Sequence, residues 1–120
     1  MIQVNDRTYQ TPSRPVVGIC IDGCSRDYLD AAADLMPNLQ AIISKGASGQ
    51  VKTVVPSFTN PNNVAIVTGT TPDVNGIPGN FYYDANADEE VLMNDPKYLR
   101  APTILAAFSQ AGQQVAAVTT

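Results

Sequence analysis

Along this chain the apolar positions come in unbroken blocks more often than in alternation. PVVGICID (15–22) is almost wholly apolar, rich in β-branched residues, and closes at Asp22-Gly23. A run of that kind suits a strand covered on both faces, as in a parallel sheet. SRDYLDAAADL (25–35) offers a serine cap and apolar residues near helical spacing. Pro37 restarts a helix, PNLQAIISKG, that stops at Gly46. GQVKTVV (49–55) reads as a second strand, and Asn60 and Pro61 then open a helix over PNNVAIVTG, ended by Gly69. Residues 70–79, with Pro72, Gly76, Pro78 and Gly79, read as loop. FYYD (81–84) and EVLM (90–93) flank ANADE and predict a small hairpin outside the main sheet. APTILAAFSQAG (101–112) predicts a last helix, and QQVAAVTT (113–120) a third apolar strand.

Strands alternating with helices predict an α/β fold: a doubly wound, mainly parallel sheet with flanking helices and a small β-hairpin. Such sheets bind ligands beyond the carboxyl ends of their strands. Asp22 is expected at one such end, Thr59 just beyond another, and Thr119-Thr120 at a third.

Composition narrows the chemistry. With 120 residues, 44% of them hydrophobic and 15% charged, the chain is globular rather than disordered. Eleven acidic against seven scattered basic residues, a net charge of -4, argue against a nucleic-acid surface. No run is long and apolar enough to span a bilayer, and MIQVNDRTYQTPSR lacks the apolar stretch of a signal peptide, so the expected compartment is the cytoplasm. Cys20 and Cys24 are expected as a reduced pair. Histidine is absent from these residues, which excludes a histidine triad, a histidine general base and histidine-containing zinc clusters built from them alone.

Candidate chemistry centres on VVPSFTNPNNVAIVTG (54–69). A threonine hydroxyl attacks only when a base or metal favours its alkoxide. Without histidine, a metal is the remaining route, with Asp22 as a candidate ligand and the following helix N-terminus attracting an anion. Other readings stand beside this one: Thr59 as part of a cap, Asp22 and Asn80 as turn residues.

Taken in order, IDG (21–23), VVPSFTNPNNVAIVTG and GIPGNFYYD resemble the start of alkaline-phosphatase-superfamily enzymes, in the nucleotide pyrophosphatase and phosphodiesterase branch. VNDRTY (4–9) and EEVLMNDPKYLRAPTIL (89–105) are similar to the phosphonoacetate hydrolases within it. The resemblance covers essentially the whole chain but only the N-terminal portion of that family. It implies an incomplete alkaline-phosphatase-like fold, with residues 1–120 the N-terminal part of the catalytic domain. It implies Asp22 as a zinc ligand, Thr59 as a zinc-bound nucleophile and Asn80 as a contact to substrate phosphonate oxygens. The implied reaction cleaves the carbon–phosphorus bond of phosphonoacetate to acetate and phosphate, with two zinc ions in the complete enzyme. The implied partner is a small phosphonate, not nucleic acid or membrane, with a homodimer left open.

Two departures qualify it. Asn75 stands where related enzymes commonly carry histidine, and the family's other zinc ligands and carboxylate-binding lysines lie beyond residue 120. The expectation is therefore a fragment without a complete site of its own. A phosphodiesterase or phosphomonoesterase of the same superfamily, or a small non-catalytic α/β binding domain, are the alternatives.

Overall fold

A computed structural model describes residues 1–119; Thr120, and with it part of the Thr119-Thr120 strand end, lies outside the described residues. The chain forms two units, one of residues 18–52 and one of residues 1–17 together with those from 53 onward.

The smaller unit is helical. A turn at Asp22-Gly23, closed by the Cys24 N–H on the Ile21 carbonyl at 3.4 Å with Gly23 at φ +71°, leads into α1 (Arg26–Ala31). A short 3-10 turn (Ala33–Leu35) follows. Pro37 then opens α2 (Pro37–Lys45) as predicted, since a first-turn residue gives up no intrahelical N–H. Arg26 and Asp30 pair at 2.7 Å across one turn of α1.

The larger unit begins with a hairpin that the apolar pattern did not predict, β1 (Ile2–Val4) against β2 (Arg7–Tyr9). Its two-residue turn places Asn5 and Asp6 at φ +50° and +58°, the left-handed backbone that a tight hairpin demands and that Asn and Asp tolerate. Ile2 and Val4 are buried, and β1 packs on α5 (Ile104–Gln110), where Tyr9 meets Phe108 edge-on. The Asn5 side chain stitches the turn down, donating from Nδ2 to the Thr68 and Pro102 carbonyls, each at 2.8 Å.

At the centre is α3 (Thr59–Thr68), ended by Gly69 at φ +68°. A Cβ on Gly69 would lie 2.9 Å from the Tyr9 hydroxyl, so the position needs both the left-handed backbone and the bare Cα. Residues 70–79, predicted as loop, contain one short helix, α4 (Pro72–Asn75). The second predicted hairpin is present as β3 (Phe81–Asp84) and β4 (Glu89–Leu92), paired Phe81 to Leu92 through Asp84 to Glu89. A 3-10 turn (Pro96–Tyr98), capped by the Asp95 carboxylate, joins it to α5, whose Thr103 hydroxyl caps the Ala106 N–H at 3.0 Å.

The expected parallel sheet is not formed among the described residues. Both sheets there are two-stranded and antiparallel, and residues 15–22, 49–55 and 113–119 carry no strand pairing. Most of their apolar side chains are exposed, among them Val16, Val17, Ile19, Val51, Val55 and Val118. The reason is lateral. A parallel strand exists only through hydrogen bonds to neighbours on its flanks, and an apolar run lacking them is not an element.

Candidate functional site

Thr59 does not take the cap position that one reading of the sequence gave it. Phe58 takes the cap position, with extended backbone at φ -114° and ψ 162°, and Thr59 is the first residue of α3, exposed at its N-terminus. The expected local cap, Asn60, is instead inside the first turn. Its main-chain N–H donates to Asn80 Oδ1 at 2.9 Å, so the helix is capped from 20 residues away. The incoming strand of chain is held by a second asparagine. Asn62 Oδ1 accepts the Val54 N–H at 3.2 Å while its Nδ2 donates to the Phe58 carbonyl at 2.8 Å.

Asn80 owes its place to the hairpin. The Met93 N–H donates to the Asn80 carbonyl at 2.8 Å, which extends the ladder one rung beyond the Phe81–Leu92 pair. Asn60 Nδ2 donates to the Met93 carbonyl at 3.1 Å and ties the hairpin to α3. Tyr82 packs edge-on against Tyr98 and anchors the same hairpin; burial raises the Tyr82 phenol above its ordinary value. Thr59 and Asn80 are thereby brought to one helix terminus within the larger unit. Asp22 belongs to the smaller unit, exposed at the first position after Ile21 in the Ile21–Cys24 turn.

The terminus suits an anion in its chemistry. The first turn of α3 contains no acidic residue, so the positive end of its dipole is not neutralised from within. An alcohol stands at the first position with a carboxamide across from it, while the neighbouring N–H groups are spoken for: Asn60 donates to Asn80, Pro61 has none, and Asn62 donates to the Phe58 carbonyl at 3.3 Å. The wide cleft of about 720 Å³ in this unit lies elsewhere, lined by Arg7, Ala65, Gly69, Thr70 and Val74 among others, and includes none of the three predicted residues.

Asn75, the departure noted in the sequence, is structural here. Its side chain is fully buried; Nδ2 donates to the Thr70 carbonyl at 3.1 Å and Oδ1 accepts the Ile77 N–H at 2.9 Å. Its main-chain carbonyl receives the Arg100 N–H at 2.9 Å.

Among the described residues no group of three or more His, Cys, Asp or Glu could hold a metal ion. Neither cysteine is in a disulfide. No helix among the described residues is long and apolar enough to cross a membrane. The pattern missed Asn60 and Asn62 as positioning groups. The signal was present in NPNN, which holds more asparagines than one helix start requires.

Solved structures of phosphonoacetate hydrolase from Sinorhizobium meliloti 1021 are similar over 92% of this chain. The phosphonoformate complex is 53% identical with a TM-score of 0.87, and the phosphonoacetate complex 52% identical with the same score. The match spans 27% of that enzyme. Ectonucleotide pyrophosphatase/phosphodiesterase family member 3 of Bos taurus is 34% identical over 81 residues, 67% of this chain and 9% of that protein. Bis(5'-adenosyl)-triphosphatase enpp4 of Xenopus laevis is 37% identical over 78 residues, 64% of this chain and 17% of that protein. The family model for type I phosphodiesterase / nucleotide pyrophosphatase matches residues 16–120, and the chain belongs to that family.

Proposed function

We propose that these residues are the N-terminal part of an alkaline-phosphatase-like catalytic domain that hydrolyses the carbon–phosphorus bond of phosphonoacetate. The supporting observation is the 53% identity and 0.87 TM-score to an enzyme of that activity over 92% of this chain, against 34% to the phosphodiesterase relative over 67%. On this reading residues 15–22, 49–55 and 113–119 become parallel strands once flanked by the remainder of the domain, and the enzyme is cytoplasmic.

Thr59 is the nucleophile in this proposal. Its Oγ1 forms the new bond to phosphorus as the carbon–phosphorus bond breaks, and the departing carbon spreads its charge into the adjoining carboxylate. The Asn80 carboxamide donates to the phosphoryl oxygens, and the positive end of the α3 dipole favours their negative charge. The phosphothreonine is then hydrolysed to phosphate, and a proton on the carbon completes acetate. Zinc, when bound, supplies positive charge that favours the threonine alkoxide. This chain contributes Asp22 and Thr59 toward two such ions, oxygen donors suited to zinc, and the other ligands come from outside these residues.

The test is substrate preference. The full-length enzyme, loaded with zinc, is expected to release phosphate from phosphonoacetate faster than it cleaves a nitrophenyl phosphodiester. The reverse order assigns it to the phosphodiesterases of its family.

A further inference from the structure

Three hydrogen bonds close a ring at the head of α3. Asn60 donates its main-chain N–H to Asn80 Oδ1 at 2.9 Å, Met93 donates its N–H to the Asn80 carbonyl at 2.8 Å, and Asn60 Nδ2 donates to the Met93 carbonyl at 3.1 Å. The donors decide both amide orientations. A main-chain N–H can only donate, so the Asn80 atom facing it is the oxygen; a carbonyl can only accept, so Asn60 turns its nitrogen to Met93. With Oδ1 held against α3, the two N–H groups of Asn80 occupy the opposite branch of the carboxamide. An unheld carboxamide could equally present its oxygen, which repels a phosphoryl oxyanion.

We propose that Asn60 is a positioning residue: its main-chain N–H sets the amide orientation of Asn80, and its side chain, through the Met93 carbonyl, locks the β3–β4 hairpin that carries Asn80 to the turn carrying Thr59. This rests on the proposed roles of Thr59 and Asn80. The residue touches neither phosphorus nor leaving group; it acts through Asn80.

A double-variant cycle in the full-length enzyme tests it, with phosphonoacetate and a nitrophenyl phosphodiester as probes. Loss of one oxyanion donor costs about 10²–10³-fold in kcat, so Asn80→Ala is expected in that range. Asn60→Ala keeps the main-chain N–H on Asn80 but releases the hairpin at Met93, and is expected to lose about tenfold with KM little changed. Asn60→Asp, equal in size, sets a carboxylate against the Met93 carbonyl and is expected to fall at least as far as alanine. In the Asn80→Ala background, Asn60→Ala is expected to cost nothing further. Independent, multiplying losses overturn the proposal, as does an Asn60→Ala enzyme as active as the wild type.

An enzyme that cleaves neither probe refutes the reading of the site but not the ring, which amide NMR of the full-length enzyme addresses separately. Asn60→Ala is expected to move the Asn80 side-chain amide resonances and leave those of Asn5 in place. Unmoved Asn80 resonances overturn the proposal.

Discussion

Asn75 offers the clearest way to weigh a buried polar group in this fold. The residue is 0% exposed and Ile77 is 3% exposed, so water does not reach the Ile77 N–H that Asn75 Oδ1 accepts at 2.9 Å. Asn75→Ala removes that acceptor and the Nδ2 donor to Thr70, while the Arg100 N–H keeps its main-chain partner. A buried donor left unpaired costs about 1–3 kcal/mol, and the lost bond to the half-buried Thr70 carbonyl adds about 1 kcal/mol. The expected loss is roughly 2–4 kcal/mol, or a melting temperature lower by about 10 °C for a chain of this size. Urea denaturation reads the free energy, and hydrogen exchange at the Ile77 amide reads its cause, because that amide is expected to lose protection ahead of the α3 amides. A loss below about 1 kcal/mol with Ile77 still protected would refute the reasoning, since it would mean the bond was exchanged for one of equal worth. Asn75→Asp adds a check of sign. It keeps an acceptor for Ile77 but sets the second carboxylate oxygen against the Thr70 carbonyl, and burial raises its folded pKa above the unfolded value. The native state then binds more protons than the unfolded, so the stability difference from wild type worsens as pH rises from about 4 to about 7. A pH-independent difference contradicts this.

Other perturbations are expected to behave as follows. Gly76→Ala forces a side chain onto φ +84° with its Cβ 2.9 Å from the Tyr98 carbonyl. The expected loss is about 1–3 kcal/mol in denaturation, whereas Gly18→Ala, which meets open space, is expected to stay within about 0.5 kcal/mol. Asn5→Ala removes both bonds to Thr68 and Pro102 and is expected to cost roughly 1–2 kcal/mol, with the β1–β2 amides exchanging faster; unchanged exchange argues against the stitch. The Asp95 carboxyl is held below its ordinary value, first by the Lys97 N–H and then by the Lys97 ammonium. A depressed folded pKa stabilises the turn above the unfolded value and that contribution is lost as pH falls through the folded one. NMR titration is expected to find the Asp95 midpoint low, and only partly restored in Lys97→Ala because the main-chain donor remains.

What could be read beforehand divides along the range of the interactions. Helices with their own punctuation were legible: Pro37 opening α2, Gly69 ending α3, and the FYYD hairpin all rest on residues adjacent in sequence. The start of α3 was not, because its cap is Asn80, and no local pattern reports a partner 20 residues away. The β1–β2 hairpin escaped because three-residue strands are too short for alternation to register; its Asn5-Asp6 turn was the available clue. Apolar runs such as 15–22 were read as strands but form none among the described residues, since pairing depends on neighbours that a run cannot specify. At the candidate site, Thr59 and Asn80 came from motif order, and the structure adds the contacts that bring them to one helix terminus. Asp22 was read from the end of an apolar run and sits in the turn its Asp-Gly pair suggested.

The most direct measurement is to quench the full-length, zinc-loaded enzyme with acid during turnover of phosphonoacetate and locate covalent phosphate by peptide mass spectrometry. The account predicts a phosphoryl group on Thr59, and no phosphate release at all from Thr59→Ala. Turnover that persists in Thr59→Ala, or a phosphoryl group trapped on another residue, would contradict it.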